Sequence, residues 1–502
     1  MKSNQAIKIY LLNILFFTTL IALVSCTNTK PKDKTQFKPF IGTWKDIIQN
    51  PERTDDYSLR TFYYNADSIF SMVQLEFGTR SRFWTNAGEL SVKESILNWD
   101  EFTAELKGED TLLVNYHDPS GNIIPFTLIK SNSEEGNQIM HQLITSKNLE
   151  YNYSVPPKEV DGWKTSNLES VDIDTTLIFD MIDEIKLGKY KDIHSLLIIK
   201  DGKIVLDEYF ASKGKYSGVI ANHIFRSRPH HLASVTKPIT SILMGIALKE
   251  RYISSIDNSV SQYFPEYASL FVGGKEDIQI KHLLTMSAGL SWNQFSYPFQ
   301  DSRNDAGNMY RCKDVVEYYF SKPIFREPGL SLNYSNAATT TCGALIENAS
   351  GYSIEEFSNQ FLFKPLNITS YYWGKYPEGT YDTDGSLALR ARDVAKIGQL
   401  VLDNGKWNGK EILAADWIAV STKKHFSRTD DIDYGFYWQQ TYIQYKNKKI
   451  RTIFGWGDGG QFLFIFPEIN TIIVSNAGNY GKGEDSVIFD MLKEYILPSL
   501  SN

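Results

Sequence analysis

Ser234 and Lys237 stand in the run His231-Leu232-Ala233-Ser234-Val235-Thr236-Lys237-Pro238, which leads into the apolar stretch from Ile239 to Lys249. A hydroxyl three residues before an amine is the spacing that puts a nucleophile and a proton-handling partner on one helix face, about a turn apart. Pro238 limits where that helix starts. It lacks an N–H and clashes with the carbonyl four residues back, so it is tolerated only in a first turn. The helix is therefore expected to begin near Ser234, whose N–H lies at the positive end of the dipole, ready to donate to an oxyanion. Ile239, Ile242, Leu243, Met244, Ile246, Ala247 and Leu248 are apolar nearly all round, the mark of a buried helix. A lysine at the mouth of such a helix is expected to be partly desolvated, its pKa lowered and its neutral amine available as a base.

Ser-x-x-Lys alone is a common pattern. It recurs at Ser212 to Lys215 and at Ser421 to Lys424, which head no apolar helix and are read as solvated surface. An N-cap serine beside a surface lysine would give the same four letters. Two further segments narrow the reading. Glu327-Pro328-Gly329 leads to Asn333-Tyr334-Ser335-Asn336, a turn entering the small-residue, helix-like run from Ala337 to Glu347. A tyrosine near an ammonium can ionise more readily and take a proton from serine. Asn336 offers amide donors and acceptors to a substrate or to Lys237. Late in the chain, Gly455-Trp456-Gly457-Asp458-Gly459-Gly460-Gln461 runs into an apolar strand from Phe462. Glycines beside an edge strand let a substrate backbone approach and leave N–H groups exposed for a second oxyanion contact.

These segments need a scaffold, and the patterning suggests one. Ser195 to Ile199 and Lys203 to Phe210 read as strands around the Asp201-Gly202 turn, a strong hairpin signal. Phe462 to Phe466 and Thr471 to Ala477 read as two more, around Pro467-Glu468-Ile469-Asn470, followed by a closing helix near Ser486 to Leu497. Between them, roughly Arg251 to Ile397, short helical patterns alternate with loops. Strands at both ends with helices between imply one α/β domain with a helical insertion, here placed at 155–502. Residues 40–154 read as a β-rich accessory domain: Leu112 to Tyr116 and Ile123 to Ile129 flank the turn Asp118-Pro119-Ser120-Gly121-Asn122. Val155-Pro156-Pro157 marks the boundary. The opening Phe40-Ile41-Gly42-Thr43-Trp44 resembles, over five residues, the Gly-x-Trp start of lipocalin-like barrels.

The N-terminus reads as an export signal. Lys2 and Lys8 precede an apolar run from Ile9 to Val24, which meets Leu23-Val24-Ser25-Cys26. The tetrapeptide resembles a bacterial lipobox, so residues 1–25 are expected to be a signal peptide, Cys26 the lipidated residue and 26–39 a polar tether. That implies a chain exported and lipid-anchored to a bacterial membrane, facing the periplasm. The net charge of −7, with no long basic run, argues against nucleic-acid binding. Three cysteines are too few for a disulfide framework or a zinc site, and Cys312 and Cys342 are read as buried thiols. No cofactor or metal is implied. His230 and His231 are expected to face water. A Ser-His-Asp hydrolase is disfavoured because no Gly-x-Ser-x-Gly elbow occurs.

Taken together, Ser234-x-x-Lys237, Tyr334-x-Asn336 and the late glycine-rich strand entry resemble the serine β-lactamase-related family, which includes class C β-lactamases and penicillin-binding proteins. The likeness is greatest to its esterase, 6-aminohexanoate-dimer hydrolase and D-aminopeptidase branches. Ile280-x-x-Leu283-Leu284-Thr285, Pro328-Gly329, Ala391-Arg392-Asp393-Val394-Ala395-Lys396-Ile397-Gly398 and Gly459-Gly460-Gln461 agree. The resemblance implies an antiparallel sheet flanked by helices, an all-α subdomain, and an acyl-enzyme in which Ser234 attacks while Lys237 and Tyr334 shuttle the proton. It implies a small-molecule or short-peptide substrate, with cell-wall-derived molecules among the candidates. The family's third motif often carries a cation for a substrate carboxylate. Here Trp456-Gly457-Asp458 stands in that place, and the second oxyanion N–H belongs to Asp458 or Gly459. Without that cation, esters or short amides are expected rather than penicillins or D-Ala-D-Ala termini. The competing readings are a penicillin-binding, sensor or binding protein that keeps the fold without turnover, and a D-amino-acid peptidase or weak β-lactamase. Met286, where many members carry histidine, is a further departure.

Overall fold

The computed structural model describes residues 151–210, 220, 222–481 and 487–500, together with the backbone of nine strands between 42 and 131. The expected signal peptide, Cys26, the tether and Ser212 to Lys215 lie outside the described residues. The chain divides into two compact units, and Ser133–Asn502 falls within the larger.

The nine N-terminal strands form one sheet made of two meanders. The first runs from Gly42–Ile47 to Arg82–Thr85 and the second from Ser91–Lys93 to Ile123–Ser131. The first and last strands join them as an antiparallel pair, with Thr43 opposite Ser131.

The larger unit is an α/β (α+β) fold built on a second nine-stranded sheet. Its principal strands are β1 (Ile193–Lys200), β2 (Lys203–Tyr209), β3 (Gln439–Tyr445), β4 (Lys448–Gly457), β5 (Gln461–Phe466) and β6 (Thr471–Ala477). The spatial order is Lys164–Thr165, β2, β1, β6, β5, β4, β3, Asp433–Tyr434, Phe426–Ser427. All pairings are antiparallel except the short first one. The β1–β2 hairpin turns at Asp201 (φ 51°) and Gly202 (φ 71°), both left-handed, as a two-residue primed turn requires. β1 pairs with β6 near the far end of the chain, with Leu197 opposite Val474, so both termini of the unit meet in mid-sheet.

Both faces of this sheet are covered, which is why its strands read as unbroken apolar runs. Leu197, Ile199, Leu463, Ile465, Ile472 and Val474 point to one core, which they share with α2 (Thr236–Lys249) and α4 (Ala391–Leu402). Their neighbours Leu196, Ile198, Phe462, Phe464, Phe466 and Ile473 point to the other. There they meet α1 (Thr175–Lys186) and the C-terminal helix α5 (Val487–Met491). The two-residue alternation of a strand sorts the side chains between two helical layers. Between α2 and α4 lies a largely helical insertion around α3 (Asn336–Ser350).

The stretch from Pro157 to Trp163 is fastened to the body by Arg392 of α4. The buried guanidinium pairs with Asp161 at 2.6 Å and Asp207 of β2 at 3.0 Å, and donates to the Pro157 carbonyl at 3.3 Å. Ser421, expected at the surface, is instead buried at the C-terminal end of a short helix, where its hydroxyl turns back to the Ile418 carbonyl. Cys342 is a buried thiol as expected, whereas Cys312 is only half-buried; both are free.

Candidate active site

Ser234 sits on a single 3-10 turn, Ala233–Val235, placed directly before α2. The α-helix proper starts at Thr236, two residues later than expected, and Pro238 falls third in it, where no N–H is needed. Ala233 takes φ 45°, a left-handed conformation an L residue adopts only when its surroundings impose it. The imposing neighbour is β4. A Cβ placed on Gly457 would collide with the Leu232 carbonyl oxygen and lie 3.0 Å from Ser234 N, so only a glycine lets the strand end pack against the serine turn. That packing sets Gly457 itself beside the Ser234 N–H.

Lys237 is 1% exposed. Its Nζ donates to Ser234 Oγ at 3.0 Å and to the Asp384 carbonyl at 2.7 Å, with Asp384 Oδ1 at 3.4 Å. The Tyr334 ring lies 5.2 Å away. Burial by itself would depress the lysine. Tyr334 and the Asp384 carboxylate outweigh it and raise the pKa above the ordinary lysine value. The expected neutral amine is therefore corrected: Lys237 is an ammonium that donates to the nucleophile. Asp384 is held in turn by Thr340 at 3.0 Å and by the Tyr376 hydroxyl. Asp382, beside it, is pushed well above the usual carboxylate range by burial and by the Asp384 charge.

Tyr334 is half-buried at the entrance to α3, which Ser335 caps by accepting from the Ala338 N–H at 3.3 Å. Asn336 is clamped twice by Gln294. Gln294 Oε1 accepts from the Asn336 N–H at 3.0 Å, and Gln294 Nε2 donates to Asn336 Oδ1 at 3.2 Å. Its amide oxygen is thus turned to Gln294 rather than Lys237. A cleft of about 440 Å³ opens beside the tyrosine, lined by Trp292, Gln294, Phe295, Phe325, Leu332 and Tyr334.

At the third motif, the Trp456 ring stacks on Phe462 at 5.9 Å. The Asp458 carboxylate accepts the Gly481 N–H at 3.2 Å. Gly459 and Gly460 carry φ of 86° and 89° through the turn to β5. The place is not without a cation, however. The Arg428 guanidinium lies 4.8 Å from the Tyr334 ring and 5.4 Å from the Trp456 ring. His230 also departs from expectation. It bonds His194 at 2.7 Å and the His231 carbonyl at 2.9 Å, and burial pulls it down to about 4. Met286, at φ 53°, is buried with its sulfur accepting the Tyr434 hydroxyl at 3.4 Å.

The fold thus gathers Ser234, Lys237, Tyr334 and Gly457 from four separate elements. Asp384, Gln294 and Arg428 join them without any local sequence pattern to announce them.

The family profile described as Beta-lactamase matches residues 194–482. The chain belongs to the beta-lactamase family. The match begins in β1 and contains every site residue from Ser234 to Gly459. Among curated relatives, Protein flp of Staphylococcus aureus is 25% identical over 201 residues, 39% of each chain. The 6-aminohexanoate-dimer hydrolase of Paenarthrobacter ureafaciens is 23% identical over 268 residues, 49% of this chain and 65% of the relative. The chain thus spans less than two thirds of either relative's own length. A family VIII carboxylesterase of solved structure shares the fold, with a TM-score of 0.51, 16% identity, and coverage of 64% of this chain and 96% of that one.

Proposed function

We propose that this chain is a serine hydrolase of esters or short amides that works through an acyl-enzyme on Ser234. The observation that carries the reading is the 3.0 Å contact between Lys237 Nζ and Ser234 Oγ, made beside Tyr334 and beneath the Gly457 backbone. Ser234 attacks the carbonyl, and Tyr334 is the side chain placed to take the hydroxyl proton and return it to the leaving atom. Lys237 stays charged, orients the hydroxyl and stabilises the developing negative charge around it. The Ser234 N–H and an N–H following Gly457, from Asp458 or Gly459, receive the oxyanion. Water then releases the acyl group by the same proton path. Asn336, set by Gln294, and Trp456 flank the substrate. The likeness to a carboxylesterase and to a 6-aminohexanoate-dimer hydrolase supports ester or amide cleavage.

The test is a short-chain nitrophenyl ester given to the parent chain, Ser234→Ala and Tyr334→Phe, with product release and intact mass followed together. Steady turnover with a transient acyl adduct, absent in Ser234→Ala, is expected. A stable adduct without turnover would make the chain a binding protein instead. We further propose that Cys26 is lipidated and anchors the chain to a bacterial membrane. An alkyne fatty acid fed to an expressing bacterium should label the parent but not Cys26→Ser.

A further inference from the structure

The cleft beside Tyr334 is walled by apolar side chains that the protein leaves uncovered. The buried Leu290 and Trp292 line it, together with Leu332. At its mouth Phe295 and Phe325 are each 70% exposed, and Leu330, next to the lining Ser331, is 66% exposed. Backbone bonds hold both walls in place. The Phe325 N–H donates to the Gly289 carbonyl at 2.8 Å, and Asn333 Nδ2 donates to the Leu290 and Trp292 carbonyls at 3.3 and 3.2 Å. The buried Asn304 does the same for the Gln294 and Tyr297 carbonyls, at 3.1 and 2.7 Å. Arg326 brings a charge only to the exposed rim, where it lies 5.4 Å from the Phe325 ring and donates to Ser331 Oγ at 2.9 Å. No carboxylate lines the cleft among the described residues. Apolar surface held open to water in a preformed cleft is the mark of a binding site.

The cleft starts at the reacting end. The Phe295 ring stands 5.6 Å from that of Tyr334, so whatever fills the cleft lies against the residue that handles the proton. A partner protein or a second copy seated there would cover Tyr334 and shut the site. The occupant that fits is the substrate itself. Resting on the hydrolase reading above, we propose that the cleft receives an apolar tail of the substrate. The natural substrates are then amphiphiles, esters or amides that carry a medium-length alkyl or acyl chain. Such a chain leaves water along Leu290, Trp292 and Leu332, and covers Phe295, Phe325 and Leu330 as it does so. The polar ester or amide group remains at the Tyr334 end, where Gln294 and Asn336 supply amide donors and acceptors.

The experiment lengthens the substrate one half at a time. Nitrophenyl butyrate, hexanoate and octanoate extend the acyl half, and butyl, hexyl and octyl acetate extend the departing half. Both series are given to the full chain in a bile-salt detergent, which has no alkyl tail to compete. Burying one methylene is worth about fourfold at most, so kcat/KM in one series should rise by about 10- to 100-fold from four carbons to eight. Phe295→Ser and Phe325→Ser should each cut that eight-to-four ratio by about three- to tenfold, and Phe325→Leu should keep most of it. Leu187→Ser, which removes an exposed apolar side chain at the end of α1, should leave the ratio unchanged. A flat profile in both series of the parent, or losses in the two serine variants that are equal on short and long esters, would overturn the proposal. The second result would make the rings only props for Tyr334. Absence of Ser234-dependent turnover on every ester would sink the hydrolase reading instead. The cleft is then judged by calorimetry of octanamide against butanamide. Tighter binding of octanamide that weakens in Phe325→Ser supports the tail site, and equal or absent binding refutes it.

Discussion

Asp384 accepts the Lys237 ammonium on its main-chain oxygen at 2.7 Å and presents its carboxylate to the same nitrogen at 3.4 Å. One residue, 147 positions downstream, thus aims the lysine at Ser234 and, with Tyr334, keeps it charged. The carboxylate is itself positioned, through Thr340 in α3 and Tyr376 in the insertion. A buried ammonium so surrounded is a fixed donor rather than a base.

Asp384→Asn removes one of the groups that, after Tyr334, raise Lys237. The turnover number on a nitrophenyl ester should fall about 10- to 100-fold, the usual scale for a disturbed proton path. The pH profile should change with it. A lysine raised in the folded chain holds its proton until the pH passes above the ordinary lysine value; without the carboxylate it deprotonates sooner, so the alkaline limb should move to lower pH. An unaltered alkaline limb would show that Asp384 does not set the charge of Lys237.

Gly457→Ala forces a methyl into the Leu232 carbonyl and against Ser234 N. Acylation should slow by about 100-fold or more, as when an oxyanion donor is displaced. The C-terminal core should survive, because Phe462, Leu463 and Phe464 of β5 stay packed. Single-turnover acylation followed by mass, beside a thermal melt, separates the two effects.

His230 is held neutral, at about 4, by burial against His194 and the chain leading to Ser234. The unfolded chain binds that proton near 6.5, so stability is full above 6.5 and is lost as the pH falls toward 4. His282 is depressed by burial to a similar value and adds in the same sense. Discounted for partial exposure, the loss credited to His230 is on the order of 1–2 kcal/mol. Denaturant midpoints measured from pH 7 to 4.5 should fall for the parent and fall less for His230→Gln.

Asp161→Asn leaves the Arg392 guanidinium with Asp207 as its remaining close partner. Because the pair is buried, stability should drop by about 2–4 kcal/mol. Urea unfolding of the full chain, followed by tryptophan fluorescence, to which Trp163 beside this pair contributes, reads the change. A shift below about 0.5 kcal/mol would mean that the network is as weak as a surface pair.

What could be read from the sequence alone was local. The Asp201-Gly202 turn, β5 and β6, and the run behind Ser234 follow from turn chemistry and unbroken apolar stretches, and the structure has them within a residue or two. The serine, lysine, tyrosine and glycine segments were visible because each carries a short pattern on one element. The charge of Lys237 was not visible. Its helix predicts desolvation, while the groups that outweigh it, Tyr334 and the Asp384 carboxylate, arrive from distant parts of the chain, the second from 147 residues away. Nor was the cation at the third motif, because Arg428 reaches Tyr334 and Trp456 only through sheet pairing and the packing of the insertion. Ion pairing and ring stacking depend on distances in space, and only the tertiary structure decides those.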